Sequence, residues 1–211
     1  MGASCRGLAL LAVLITLGSG AVTAQAAGQA VGAVAALRGS ATGQLPEGGA
    51  VATLAVKDPV SEGETVKTGP DSRLKIALRD GTTLSLGADT ELKLDQVALS
   101  AGSASSLTQF SGYVRAVVAP VRPHVQFEIQ TPTMVAAVRG TDWIQNFASG
   151  ATQIFVVRGR VEASGKEIYA GDHVVLTSGQ GVTFSDSAPH TPVVRWKKPK
   201  IDLFVEATRV R

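Results

Sequence analysis

The 211-residue chain is short of three things that decide function early. It has one cysteine, Cys5, placed ahead of an N-terminal apolar run. Removal of that region on export would leave no thiol, which excludes disulfides, thiolate metal centres and cysteine nucleophiles together. Aromatic residues make up 5%, so the core must be built from Val, Leu, Ile and Ala. Charged residues are 18%, against about 25% in typical soluble domains. With 45% hydrophobic residues, the composition is too apolar for a disordered polymer. Catalytic signatures are missing as well: no Gly-x-Ser-x-Gly elbow, His-Glu-x-x-His, phosphate loop or dinucleotide fingerprint occurs. His124, His173 and His190 stand without a partner motif. His173 follows Asp172, and strand neighbours point to opposite faces, so the two make a poor acid–base pair. Carboxylates are scattered singly, with no calcium-loop spacing. The expectation is a protein that is not an enzyme and carries no cofactor or metal.

What is present begins with an export signal. Arg6 is the only charge before Arg38, and Leu8–Leu17 is a short apolar run. A core of about 7–15 apolar residues behind a positive start is a signal-peptide pattern, whereas a membrane span needs about 20. Ala24-Gln25-Ala26 supplies the small-x-small cleavage site, which places cleavage after Ala26. The alternative is an uncleaved tether.

From about Val31 to Phe184, short apolar alternations are separated by Gly, Pro, Asp and Ser, with no sustained 3.6-residue period. That reads as all-β. Leu74, Ile76 and Leu78 alternate with polar residues, as do Leu84 with Leu86 and Leu92 with Leu94. A two-residue Asp80-Gly81 turn would put the first two apolar sets on opposite faces. A three-residue Arg79-Asp80-Gly81 loop instead pairs Ile76 with Leu84 and Leu74 with Leu86, with Gly81 at positive φ. Further strands are expected at Tyr113–Val118, Phe127–Gln130, Thr141–Ala148, Thr152–Val157, Val161–Ala163, Val174–Leu176 and Gly181–Phe184. Loops are expected at Gly102–Ser106 and Ala119–Pro123. Leu37-Arg38-Gly39, Val138-Arg139-Gly140 and Val157-Arg158-Gly159 echo one another, as do Gly63-Glu64-Thr65-Val66 and Gly171-Asp172-His173-Val174. These echoes are either remnants of a repeated β unit or similar strand-turn chemistry.

From Ala188 the composition changes. The tail holds six cations against Asp202 and Glu206, while the whole chain is only +3. The basic character therefore belongs to the tail, which argues against a nucleic-acid groove. Arg195, Trp196, Lys197 and Lys198 could meet anionic lipid, lipopolysaccharide or cell-wall polymer. The plainer reading is a solvated extension whose last part, Ile201–Val210, docks on the domain.

The segment from Ile129 to Trp143, Ile-Gln-Thr-Pro-Thr-Met-Val-Ala-Ala-Val-Arg-Gly-Thr-Asp-Trp, resembles the signature of the FecR domain family. Gly63–Gly69, Leu78–Leu84, Val157–Val161 and Ala170–Val174 are similar to that family's other strand and turn motifs, in its usual order. The resemblance implies a signalling context. FecR proteins are cell-surface regulators whose periplasmic part takes a signal from an outer-membrane transporter, and whose cytoplasmic segment acts on a sigma factor. With no anti-sigma segment ahead of the apolar run and no span after it, the chain is expected to resemble the stand-alone exported members. Read from the residues alone, Arg139-Gly140-Thr141-Asp142-Trp143 looks like a strand corner. Arg139 and Asp142 would then bond across the bend, and Trp143 would fill the core. The functional version makes the same residues a partner-recognition edge.

The combined expectation is a signal peptide at 1–26, an all-β domain at 27–187 and a basic tail at 188–211. The domain would be a single unit of short, mainly antiparallel strands, a twisted sandwich or solenoid-like stack. It would be periplasmic or secreted and not membrane-spanning after cleavage. It would bind an envelope or extracellular protein through strand edges or loops, as a signalling accessory or scaffold. The tail offers a second surface for anionic polysaccharide or lipid. Candidate contact residues are Arg139, Asp142, Trp143, Arg195, Trp196, Lys197 and Lys198. The alternatives are an envelope polysaccharide or glycan-binding module, and a hydrolase with an unrecognised carboxylate site.

Overall fold

The computed structural model describes residues 29–46, 48–98, 104–119, 126–166 and 170–210. The signal segment with its cleavage site, Cys5, His124 and parts of the two expected loops lie outside the described residues. Within them the chain is mostly β, with one helix, and its strands are arranged in two sheets that share one strand. The first sheet runs β4 (Pro59–Ser61), β1 (Ala30–Arg38), β6 (Arg73–Leu78), β7 (Thr83–Leu86), the second half of β9 (Ser105–Val117), β12 (Asp142–Ala148), β13 (Ala151–Arg158), β16 (Gln180–Ser185) and β17 (Val194–Arg195). The second runs β3 (Ala52–Thr53), β2 (Ala41–Gln44), β5 (Thr65–Thr68), β8 (Glu91–Gln96), the first half of β9, β10 (Phe127–Gln130), β11 (Met134–Val138), β14 (Arg160–Gly165) and β15 (His173–Thr177). Every recorded pairing is antiparallel except β9 with β10.

Period-2 alternation builds the interior. Leu74, Ile76, Leu84, Leu86, Leu92 and Leu94 are fully buried, and they join Phe127, Ile129, Trp143, Ile154 and Val161 in one core drawn from both sheets. Each such side chain contributes roughly 1.5–3 kcal/mol on burial. The β6–β7 hairpin has the expected three-residue loop. Leu74 pairs with Leu86 and Ile76 with Leu84, and Gly81 sits at φ +88°.

Strands cross from one sheet to the other by bending, and glycine stands at most of the crossings, from Gly39 between β1 and β2 to Gly179 between β15 and β16; between β3 and β4 the positive φ falls on Lys57 instead. The requirement is plainest at Gly112, where β9 itself changes sheet. Its φ is +77°, and a Cβ there would lie 2.7 Å from Thr90 Cα and 2.9 Å from Asp89 O. A buried chain of amides braces this bend. Trp143 Nε1 donates to Gln145 Oε1 (3.1 Å), Gln145 Nε2 donates to Gln109 Oε1 (2.8 Å), and Gln109 Nε2 donates to the Gly112 carbonyl.

The bends form two creases. Those at Gly39, Gly69, Gly87 and Gly112 abut one another, as the contacts of Gly39 with Ser72 and of Gly87 with Tyr113 show. In β12, Phe147 lies opposite Gly112, while Asp142 lies opposite Val117. The next bend, at Gly140, therefore falls at the opposite end of the sheets, and those at Gly159 and Gly179 follow it. The parallel β9–β10 pair is where the chain changes creases.

Three departures from the sequence reading have physical causes. Ser105 and Ser106, expected in a loop, begin β9, because two of the inward positions there are polar: Ser105 and Gln109 are both fully buried. Met134–Val138, noted only as an apolar run, is β11. The tail contains a helix, α1 (Lys198–Ala207), with proline in its first turn. It docks through Phe204 on Ile144 and Phe155, on the outer face of the first sheet. Trp196 stacks on Phe155 with centroids 5.2 Å apart and meets Phe204 edge-on at 4.8 Å. It lies directly on Gly181, where any side chain would collide with the indole.

Gly112→Ala is expected to destabilise the protein by about 3 kcal/mol, from positive φ plus overpacking. At Gly48, which has φ +75° but nothing within 4 Å, alanine should cost only about 1 kcal/mol. Urea denaturation of the two variants checks the difference.

Candidate functional site: an arginine-lined crease

The site is built from the second crease. β10 ends in a turn, Thr131-Pro132-Thr133, whose two buried threonine hydroxyls meet Thr152 Oγ1 of β13 at 2.7 and 2.6 Å. The amide of Met134 donates to Thr131 Oγ1 at 3.1 Å. These bonds tie the β10–β11 hairpin of the second sheet to the first sheet. β11 then runs out to Arg139 and bends at Gly140, φ +60°.

Thr141 follows, 1% exposed. Its hydroxyl donates to the Arg160 carbonyl at 2.8 Å and lies 3.2 Å from that of Arg139. The Gly159 bend nests against it: a Cβ at Gly159 (φ +98°) would stand 2.9 Å from Thr141 Oγ1. The Gly179 bend adjoins in turn, since the amide of Gly159 donates to Ser178 Oγ at 3.1 Å. Arg195 Nη1 lies over Gly179, 3.1 Å from where a Cβ would be.

The result is a row of exposed arginines along one edge: Arg139, Arg158, Arg160 and Arg195. None of the four is in a salt bridge among the described residues. Between Arg139 and Arg160 is a hollow of about 290 Å³, also lined by Gln126, Ala137, Val138 and Glu162. Ala137 opens it, because it pairs with Glu128 on one side and Glu162 on the other and carries only a methyl. Glu162 is the one acidic residue lining the hollow among the described residues.

The sequence-predicted contact residues divide. Arg139 and Arg195 lie on the crease. Asp142 does not bond Arg139 as expected. It is 8% exposed and is held by Arg115 of β9, Nε at 2.9 Å and Nη2 at 2.8 Å. Beyond the bend Asp142 faces out of the first sheet, on the face that carries Arg115, whereas Arg139 belongs to the second. That fork keeps Arg115 charged, raising its pKa through the hydrogen bonds despite burial. Trp143 points the other way, fully buried against Phe127 at 6.0 Å, so it supports the corner from inside and presents nothing to a partner. Trp196 is half-buried over Phe155, with Lys200 Nζ 3.7 Å from its centroid. Lys197 and Lys198 are exposed, the latter paired with Asp202 at 2.6 Å. Arg158 and Arg160 were not singled out as contacts. Their signal was the recurring aliphatic-Arg-Gly motif, which marks bends at Gly39, Gly140 and Gly159.

Elsewhere the titratable groups do not converge. Among the described residues no three His, Cys, Asp or Glu side chains are placed to hold a metal. Asp172 Oδ2 accepts the backbone amide of His190 at 3.1 Å, and His173 is exposed. Among the described residues one carboxylate besides Asp142 is buried: Glu64, 7% exposed, accepts the Ser61 amide at 2.8 Å. Burial pushes its pKa above the ordinary carboxylate value, only partly opposed by that bond.

An all-β scaffold of bent strands with a cationic crease is the class this geometry defines. Residues 64–162 match the family described as FecR protein, a stretch that runs from the start of β5 into β14 and contains the Arg139–Trp143 corner. Over that stretch the chain is similar to a FecR domain. No curated protein matches the chain. Two crystal structures of a proposed anti-sigma factor from Parabacteroides distasonis ATCC 8503 are similar in fold. Their identities are 14% and 15%, with TM-scores of 0.56 and 0.54, and each comparison covers 67% of this chain. The chain spans 63% and 64% of those structures' length. At such identity the likeness is one of fold.

Two outcomes are expected from this chemistry. Arg115→Ala leaves Asp142 largely buried and unpaired, and should lower stability by about 2 kcal/mol, less than for a fully buried pair because the arginine is partly solvated. Thermal melting of R115A against R115A/D142N reads it, since neutralising Asp142 should recover part of the loss. For Glu64, the folded state holds a proton more readily than the unfolded chain. Its favourable contribution is complete below the unfolded pKa and is lost as pH rises through the higher folded value. E64Q should therefore gain on the parent protein across that rise, seen as a widening difference in urea midpoints.

Proposed function

We propose that the protein is an exported, non-enzymatic binding domain that takes a protein partner in the cell envelope, as a signalling accessory or scaffold. The arginine-lined crease is the contact edge. The observation that carries this reading is the row Arg139, Arg158, Arg160 and Arg195, exposed and outside any salt bridge among the described residues, on bends that the packing of Thr141 and Gly159 makes rigid. Guanidinium forks on a fixed backbone suit carboxylates, so the partner presents an acidic segment. The likeness to a FecR domain and the anti-sigma factor naming of its structural relatives support a signalling context. A glycan-binding role is less well supported, because such sites lean on exposed aromatic faces, and here Trp143 is buried and Trp196 is half-covered.

A photo-crosslinking residue placed at Arg139 or Arg160, with expression in the native envelope, tests the assignment. The expected result is a discrete protein adduct at both positions, absent when the probe replaces Lys75 on the first sheet. Arg139→Ala/Arg160→Ala should abolish capture of that same protein while leaving the melting temperature within a few degrees, since both side chains are exposed. Equal adducts at Lys75, or undiminished capture by the double variant, would remove the crease from the account.

A further inference from the structure

Four strands bound the two sheets, and three of them are guarded. β3 and β17 have two residues each, and β4 has three, one of them Pro59. Strands this short are poor templates for another chain. Where β1 passes β4, a bulge between Val34 and Ala36 interrupts it. β15 has no such protection. It runs five residues, His173–Thr177, with no proline, lysine, arginine or carboxylate, and among the described residues it pairs only with β14.

The direction of its main-chain groups follows from one bond. The amide of Gly165 donates to the Asp172 carbonyl at 2.8 Å. Antiparallel alternation then turns Asp172, Val174 and Leu176 toward β14, and His173, Val175 and Thr177 toward the open side. The Thr177 amide is taken by Gln180 Oε1 at 2.8 Å. Val175 stands at the centre of this open row, and its side chain is 45% exposed.

We propose that β15 pairs antiparallel with β15 of a second copy of the chain, about a two-fold axis through Val175. The strand is self-complementary in that register. Val175 exchanges main-chain hydrogen bonds with its own equivalent, and His173 faces Thr177 of the second copy, so no like charges meet. On the inner face, Val174, already packed on the core, meets Leu176 of the second copy and continues the apolar layer. An isologous contact of this kind closes at two copies and leaves no further edge of the same type exposed. The inference rests on β15 alone and is independent of the arginine crease.

Sedimentation equilibrium of the purified full chain over a range of concentrations tests it. The expected result is reversible association to twice the monomer mass. Val175→Lys, which places a charge on an exposed side chain, should raise the dimer dissociation constant at least tenfold with an unchanged circular dichroism spectrum and melting temperature. In a Cys5→Ser background, Val175→Cys should crosslink to a dimer on mild oxidation, because a hydrogen-bonded antiparallel pair sets the Cα atoms about 5.5 Å apart, within disulfide reach. Val51→Cys, 61% exposed on the chain leading into β3, is the control. A monomer at every concentration, a dimer unaffected by Val175→Lys, or equal crosslinking at position 51 would overturn the proposal. An edge that accepts only an extended segment of another protein would appear as the first of these.

Discussion

The structure depends on one constraint: a strand that leaves one sheet for the other must turn sharply without exposing its main chain or widening the core. β9 shows the solution most clearly. At Gly112 the backbone takes a conformation that L side chains resist, against Thr90, where a Cβ has no room. The vacated volume is not left to chance. The Gly112 carbonyl is bound by Gln109, which is bound by Gln145, which is bound by Trp143. Three large side chains with polar ends thus sit in an otherwise aliphatic interior, each satisfied. A fully connected buried network rigidifies a site, whereas a partly connected one is costly. The relay joins the strand that changes sheets to the family signature, so corner and pivot are mechanically one object.

That linkage explains how much could be read from the sequence. The β6–β7 hairpin was legible down to its register, because period-2 alternation allows only one pairing when one face is buried. The aliphatic-Arg-Gly echoes were legible as a pattern, and their meaning is now geometric: each marks a bend. β1–β2 with β5–β6, and β13–β14 with β15–β16, follow the same path between sheets with the same antiparallel pairings. The Gly63 and Gly171 echoes both lead into the second-sheet strand of these paths, β5 and β15. What stayed illegible was polar or distant. The start of β9 carries its burial in Ser105 and Gln109, which no hydrophobic pattern flags. Asp142 has a choice of arginines in sequence, and only the register of β9 against β12 selects Arg115 over Arg139. Helix α1 is ten residues long with Leu203 on its exposed side, which blurs the spacing of Ile201, Phe204 and Val205.

The two outer faces are treated differently. The first sheet would expose Ile144, Phe155 and Tyr113, an aromatic-rich patch in a chain with few aromatics. The tail covers it with Trp196 and Phe204. Aromatic contacts of this kind add about 0.5–1.5 kcal/mol each beyond area burial. The tail's cations divide accordingly. Lys200 lies over the Trp196 ring, where burial lowers its pKa, while Arg195, Lys197 and Lys198 remain in solvent. An extension that reads as a basic appendage is therefore half lid and half charged rim.

Among the described residues no element covers the second face, and in the second half of the chain its charge lies along the crease. Lateral pairs such as Lys67 with Glu91 and Lys93 with Asp95 neutralise the strands of the first half. The bends of the second half carry arginine without such pairing among the described residues. Two creases built by the same glycine device thus differ in degree: the first carries Arg38, exposed and outside the salt bridges among the described residues, and the second carries four such arginines. One is packed against itself, with Ser40, Ser72 and Thr90 filling the turns. The other directs long cationic side chains outward from a backbone fixed by Thr141 and Gly159. A guanidinium held at the surface by a fixed main chain loses less freedom on any contact than one on a mobile loop. The bend that solves the folding problem also fixes the backbone positions from which these arginines project.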